Sequence, residues 1–249
     1  MDEPILTARK LTKSYGALKA TDAFSLEIQP GEIHAIIGPN GAGKTTAIGQ
    51  LSGELTSDSG TIYFAGRDIT RLPVHKRACL GLARSFQITS IFLNFTVEDN
   101  VAMAVQARDG HSFKFWKSAR NDRKLRAPAR EVLKEVGLAD RANIVADRLS
   151  HGEQRQLELA MALATRPALL LLDEPMAGMG PASSRKMVDL LQTLKGRLTI
   201  LMVEHDMDAV FTLADRITVL VYGRAIATDI PENIHTDPAV RQAYLGENG

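Results

Sequence analysis

The chain has 249 residues, 45% of them apolar and 24% charged, and its 30 basic and 29 acidic side chains leave a net charge of +1. That apolar share is enough for a core that folds without staples and excludes disorder over most of the length, while the near-zero charge excludes an overall field able to hold nucleic acid or an acidic membrane surface. The single cysteine, Cys79, excludes an internal disulfide and a cysteine-rich metal framework, so a reducing cytoplasm is the expected compartment. The opening MDEPILTARK lacks the basic start, apolar middle and small-residue cleavage site of a secretory signal. The longest apolar runs, at 168–172 and 217–222, are of strand length, whereas a spanning helix needs about 20 apolar residues.

In chain order, the first part reads as short β-segments joined by turns: residues 5–10, then 24–28, a Pro30-Gly31 turn, and the apolar run 33–37. A further β-stretch at 61–64 follows a Ser-Asp-Ser-Gly turn. From 97 to 137 the texture becomes helical, with apolar residues at Val101, Ala104 and Val105 and again at Val132, Leu133 and Val136, which predicts an inserted helical subdomain. Within it, residues 113–130 carry Lys114, Lys117, Arg120, Arg123, Lys124, Arg126 and Arg130 against Asp122. Its aromatics, Phe113, Phe115 and Trp116, sit at one end rather than along its whole length as base stacking requires, so the segment reads as a solvated helical face. After Ser150 a helical pattern runs to Ala164 and stops before Pro167. Two continuous apolar runs, 169–172 and 199–203, flank a helical stretch at 183–194. Continuous rather than alternating strands with helices between them predict a parallel sheet covered on both faces, an α/β fold.

The sharpest local signal is Gly38-Pro39-Asn40-Gly41-Ala42-Gly43-Lys44-Thr45-Thr46, a G-x-x-x-x-G-K-[ST] phosphate loop set between the strand at 33–37 and a helix-compatible segment. Glycines let such a loop turn its backbone N–H groups inward at the positive end of the next helix. Lys44 then reaches the terminal phosphates and the Thr45 hydroxyl faces Mg²⁺. A second element, Leu169 to Leu172 followed by Asp173 and Glu174, is an apolar strand ending in two carboxylates. At a sheet's carboxyl edge the first acid suits the Mg²⁺ shell and the second suits orienting and deprotonating water. Ionised carboxylates at a buried strand end need a compensating cation, so the two elements together specify an Mg-nucleotide hydrolase.

A third segment, Leu149-Ser150-His151-Gly152-Glu153-Gln154, decides which hydrolase. Ser150 with Glu153 three residues later is a capping box, and it leaves a helix end whose N–H groups and dipole favour an anion. The segment resembles the Leu-Ser-Gly-Gly-Gln signature of ATP-binding-cassette (ABC) ATPases, matching at Leu149, Ser150 and Gly152 and departing at His151 and Glu153. The resemblance runs from Ile5 to Leu245. It implies a P-loop NTPase (RecA-like) parallel-sheet core at 1–87 and 156–249, with an N-terminal antiparallel β subdomain and a helical subdomain at 88–155, all within one cassette of residues 1–249.

The same resemblance assigns further residues. Tyr15 resembles the aromatic that stacks on adenine, Gln87 the glutamine that senses Mg²⁺ and the attacking water, and His205 the switch histidine at the γ-phosphate. Glu174 becomes the water-activating base. Gly180 departs from the family pattern, standing where many relatives carry an aspartate that reaches across a dimer. The implied partner is a second ABC ATPase subunit, identical or paralogous, whose Ser150-bearing helix closes on ATP held at Lys44. Membrane permease subunits are the other implied partners, with a solute-binding protein engaged indirectly and no nucleic acid. The apolar run Ile88, Ile91, Phe92, Leu93 and Phe95 is either the groove for a permease helix or plain subdomain core. The implied site of action is peripheral, on the cytoplasmic face of the inner (plasma) membrane.

Within the superfamily, the segments LSHGEQRQLELAMALA, DEPMAGMGP and MVEHDMD look like the branched-chain amino-acid importer ATPases of bacteria. Importers of urea or short amides resemble these closely, and a short-cassette assembly scaffold is the nontransport alternative. A GTPase switch would need an Asn-Lys-x-Asp guanine reader, and the chain has none.

Overall fold

The computed structural model describes residues 3–85, 91–108 and 122–245. Two sheets organise them. A four-stranded antiparallel sheet has the order β2-β1-β4-β5, from β1 (Leu6–Tyr15), β2 (Leu18–Ile28), β4 (Ser59–Phe64) and β5 (Arg67–Asp68). A six-stranded sheet has the order β10-β9-β3-β8-β7-β6, from β3 (Ile33–Ile37), β6 (Leu82–Arg84), β7 (Leu169–Asp173), β8 (Thr199–Val203), β9 (Arg216–Val221) and β10 (Arg224–Asp229). Its neighbours pair in parallel except β9 with the edge strand β10. This is the α/β P-loop architecture with an N-terminal antiparallel sheet that the sequence leads one to expect.

The central strands are apolar throughout because both faces are covered. Leu169 and Leu171 of β7, with Leu201 and Val203 of β8, join a core shared with the antiparallel sheet and with Ala47, Ile48 and Leu51 of α1 (Lys44–Ser52). Leu170, Leu172, Ile200 and Met202 point the other way, onto α5 (His151–Ala164), α6 (Pro181–Leu194) and α7 (Met207–Leu213). Side chains alternate across a strand, so one leucine run serves two cores.

Several elements are longer or additional to those expected. β1 and β2 extend well past 5–10 and 24–28, and their register shifts break the alternation that would have marked them. The short α2 (Val74–Cys79) and β10 also come as additions; β10 is an edge strand with little burial, which erases the apolar signal. In the helical block, α3 (Val97–Arg108) and α4 (Arg123–Glu135) pack together, with Asp122 capping α4 through Lys124 N at 2.9 Å. The expected solvated face holds for Arg123 and Lys124, while Arg126 turns onto Glu98 and Asp99 of α3 and Arg130 Nε donates to Glu98 Oε1 at 3.0 Å. Residues 113–121 of that basic segment lie outside the described residues. Two short helices, α8 (Pro231–Thr236) and α9 (Pro238–Leu245), close the chain against β10.

Candidate functional site

Strands β7, β8 and β3 lie side by side in the parallel sheet, with Asp173 opposite Val203 and Val203 opposite Ile36. Their carboxyl ends therefore deliver Asp173 and Glu174, then Glu204 and His205, then the loop from Gly38, to one edge. This edge is where α/β folds hold ligands.

The loop is built around close backbone approaches. Gly43 has φ 102°, and a Cβ there would stand 2.0 Å from the Ala20 carbonyl oxygen. At Gly38 a Cβ would stand 2.1 Å from the Leu220 oxygen. Ala42 N donates to Pro39 O at 3.2 Å, and Ala42 O accepts from Gly223 N at 2.9 Å, so the β9–β10 turn buttresses the loop. Asn40 and Gly41 are exposed at its tip. Gly43 is the N-cap of α1 and supplies no side-chain acceptor to the helix's first amides. Lys44 is 8% exposed, and its ammonium donates to the carbonyls of Gly38 at 2.7 Å and Pro39 at 3.0 Å, folding back over the loop. Thr45 is exposed and Thr46 half-buried on the first turn.

Asp173 ends β7 with its side chain 1% exposed. Its Oδ2 accepts from Arg84 Nη2 at 3.0 Å, and its buried Oδ1 has no hydrogen-bond partner among the described residues. Burial raises the Asp173 pKa, and the Arg84 guanidinium offsets that only in part. A buried carboxylate oxygen with no donor is the feature a hard cation such as Mg²⁺ satisfies, so this donor set fits the ion. Glu174 follows in the left-handed conformation, φ 49°, with its N–H donating to Val203 O at 2.9 Å and its carbonyl accepting from Ala177 N at 3.0 Å. Such a φ is uncommon for a residue with a side chain, and these two backbone hydrogen bonds hold it in place.

His205 is exposed beyond β8, its backbone N–H donating to Glu204 Oε2 at 2.7 Å. Tyr15 is 50% exposed at the β1–β2 turn, with Lys13 Nζ 5.9 Å from its ring centroid. Gln87, expected beside these groups, lies outside the described residues, as does Ile88.

Ser150, Gly152 and Glu153 stand at the start of α5. The capping box is complete: Ser150 N and Oγ both donate to Glu153 Oε2 at 2.9 Å, and Glu153 N donates to Ser150 Oγ at 3.4 Å. The anion the helix end favours is thus supplied in part by its own glutamate, which Arg141 Nε also contacts at 2.9 Å. Gly152 is buried, and a Cβ there would meet Ser183 Oγ at 2.8 Å, so this glycine lets α5 pack closely on α6. Gly178 approaches His151 in the same way, its added Cβ falling 3.3 Å from Cε1, which ties the loop after Glu174 to the start of α5. Gly180 is exposed as the N-cap of α6 and offers no side-chain cap.

Phe92, Leu93 and Phe95 are about half exposed, with the two phenyl rings edge to face at 5.8 Å, while Ile91 packs on the core. Sequence reasoning passed over Arg84 and Glu204. Glu204 had a visible cue, a carboxylate directly after an apolar strand, the same pattern that marked Asp173.

The ABC transporter family model matches residues 21–177, which hold the phosphate loop, the capped helix and the acidic strand end. The chain belongs to the ABC transporter family. Among ABC proteins it is 38% identical to the high-affinity branched-chain amino acid transport ATP-binding protein LivG of Escherichia coli K12, over 99% of this chain and 100% of that one. It is 37% identical to BraF of Pseudomonas aeruginosa, described in the same terms, with the same coverage. The lipopolysaccharide export system ATP-binding protein LptB of Haemophilus influenzae is 35% identical over 98% of each chain. Among solved structures, the ADP conformation of MJ1267, an ATP-binding cassette of an ABC transporter, superposes with a TM-score of 0.86 at 29% identity, over 98% of this chain and 100% of that one. This ABC chain is an ATPase, a nucleotide-binding subunit of the family.

Proposed function

We propose that this ATPase powers import of branched-chain amino acids through separate permease subunits, working as a pair of cassettes on the cytoplasmic face of the inner membrane. The cargo rests on the full-length likeness to LivG and BraF. The chemistry rests on one observation: the adjacent ends of β3, β8 and β7 carry the glycine loop with Lys44, then His205, then Asp173 and Glu174. No helix among the described residues is long and apolar enough to cross a membrane.

In this reading the loop amides of 38–46 and Lys44 bind the phosphates and Tyr15 stacks on the base. Thr45 and Asp173 would hold Mg²⁺, with Gln87 completing the set, and the bound ion would supply positive charge against the phosphates. Glu174, held in one direction by its left-handed backbone, orients the attacking water and takes its proton. His205 steadies the γ-phosphate, so that catalysis is mostly positioning in a charge-compensated site. Ser150, Gly152 and the Glu153-capped end of α5 close on ATP held by the partner cassette. The exposed patch at Phe92, Leu93 and Phe95 receives the permease, and residues 88–155 move as a helical unit against a core of 1–87 and 156–249.

The test is Glu174→Gln. It should bind Mg·ATP with parental affinity and hydrolyse it at least about a hundredfold more slowly; parental turnover ends the assignment. Cargo is read by co-purifying the permease from native membranes and measuring ATPase stimulation by solute-binding protein loaded with leucine. Stimulation by urea-loaded or short-amide-loaded protein instead would move the reading to those importers.

A further inference from the structure

Glu204 is a fully buried carboxylate, 1% exposed, that the phosphate-transfer chemistry does not itself require. Its Oε1 accepts from Met176 N at 3.1 Å, and its Oε2 accepts from His205 N at 2.7 Å and Asp206 N at 3.1 Å. Its own N–H points at Ile36 O at 3.5 Å, on the strand that runs into the phosphate loop. Met176 lies two residues beyond Glu174, whose N–H is tied to Val203 O at 2.9 Å. The left-handed kink is therefore pinned at Glu174 itself by the β8 backbone and two residues on, at Met176, by the Glu204 side chain.

We infer that Glu204 is a positioning residue that locks the backbone of the Glu174 segment to the backbone of His205, so that the two groups expected at the γ-phosphate keep one fixed relation. Burying a carboxylate is costly unless donors converge on it, and here three backbone N–H groups from two loops do so. A carboxylate is needed because it accepts on both oxygens, whereas an amide of equal size accepts on one and would face the third N–H with a donor. Asp206 N is drawn in as well, and the Asp206 side chain then caps α7 through Ala209 N at 3.2 Å, so the hold extends into a helix. The inference rests on the reading of Glu174 and His205 given above.

The experiment is steady-state ATP hydrolysis by the full-length chain carrying Glu204→Gln, with thermal unfolding measured in parallel. A packing role predicts no change, because volume is conserved. The positioning role predicts that kcat falls by about tenfold to a hundredfold while KM for ATP stays within about twofold. A kcat within about twofold of the parent, including the case where kcat/KM falls only because KM rises, overturns it. If E204Q fails to fold, Glu204→Asp, which keeps both oxygens on a shorter stem, is measured with the same split expected and the same outcomes overturning the inference. Glu174→Gln and His205→Ala run alongside. Parental turnover in both would overturn the underlying site; loss in both with full turnover in E204Q would overturn only the role of Glu204.

Discussion

Arg84 at the end of β6 donates from Nη2 to Asp173 Oδ2 at the end of β7, 3.0 Å away, and the opposite oxygen of the same carboxylate has no donor among the described residues. The guanidinium also reaches Glu54 and, at 3.2 Å, Ser52 Oγ. A single arginine thus holds the charge of the buried aspartate against the far end of the phosphate-loop helix.

Removing that arginine leaves Asp173 buried without its counter-charge, a change that costs about 3–5 kcal/mol when a buried pair is broken on one side. Arg84→Ala should unfold several degrees below the parent in EDTA. Mg·ATP should return more of the loss than it adds to the parent, since the ion would supply the missing positive charge. Equal ligand-induced shifts in the two proteins, read by differential scanning fluorimetry, would count against a cation at Asp173.

Gly43 and Gly41 offer a paired test of the loop. A Cβ at Gly43 meets the Ala20 carbonyl oxygen at 2.0 Å with φ 102°, whereas Gly41, φ 78°, has open space around it. Gly43→Ala should lose about 2–4 kcal/mol and most ATP binding, because backbone must move. Gly41→Ala should cost only about 1 kcal/mol of strain. Urea unfolding with ATP titration on both variants compares them directly.

Arg77 is 2% exposed and, among the described residues, donates to carbonyls alone: Leu72 O at 2.8 Å, Gln50 O at 2.8 Å, Leu51 O at 2.7 Å and Thr70 O at 3.1 Å. Gln50 and Leu51 belong to the last turn of α1, where a cation also complements the helix dipole. Burial pulls its pKa down to about 10, so it remains charged at neutral pH. Arg77→Ala strands those carbonyls and should destabilise by about 3–5 kcal/mol. Chemical unfolding midpoints test this, and a loss under about 1 kcal/mol would refute the clamp.

Glu153 has a pKa below the ordinary glutamate value, first because the Ser150 backbone N–H donates to it, with the Ser150 hydroxyl and Arg141 adding to the effect against partial burial. A carboxyl whose folded pKa lies below its unfolded one adds stability above the unfolded value, about 4.3, and loses that contribution as pH falls through the folded value. Glu153→Gln keeps the cap geometry and removes the charge. The parent should exceed it by roughly 0.5–1 kcal/mol at pH 7. The gap should close as pH drops below about 4. Unfolding curves across that range that stay a constant distance apart would contradict the charge term.

Much of the scaffold was legible because its signals are local. The runs at 33–37 and 199–203 are strands with the expected bounds, β3 and β8, since a continuous apolar stretch of that length has few other uses. The helix expected from Ser150 to Ala164 is α5, its start announced by the capping box. The extensions of β1 and β2 and the whole of β10 were not legible, because bulges and exposure remove the alternation that carries strand information.

At the site, residue types set by chemistry were readable: a lysine after glycines, acids after leucines, a histidine beyond an apolar run. Their shared placement follows from strand order, which no local pattern encodes. Arg84 and Asp173 are 89 residues apart and Glu204 and Met176 are 28 apart, so each pairing exists only once β6, β7 and β8 lie together. The chain's covalent order determined which donors, acceptors and turns were available, because caps, glycine loops and apolar periods act over a few residues. Tertiary structure alone decided that Asp173 keeps an oxygen with no donor among the described residues, that Glu174 is held at φ 49° and that Glu204 spans two loops, because burial and direction arise only from neighbours distant in sequence.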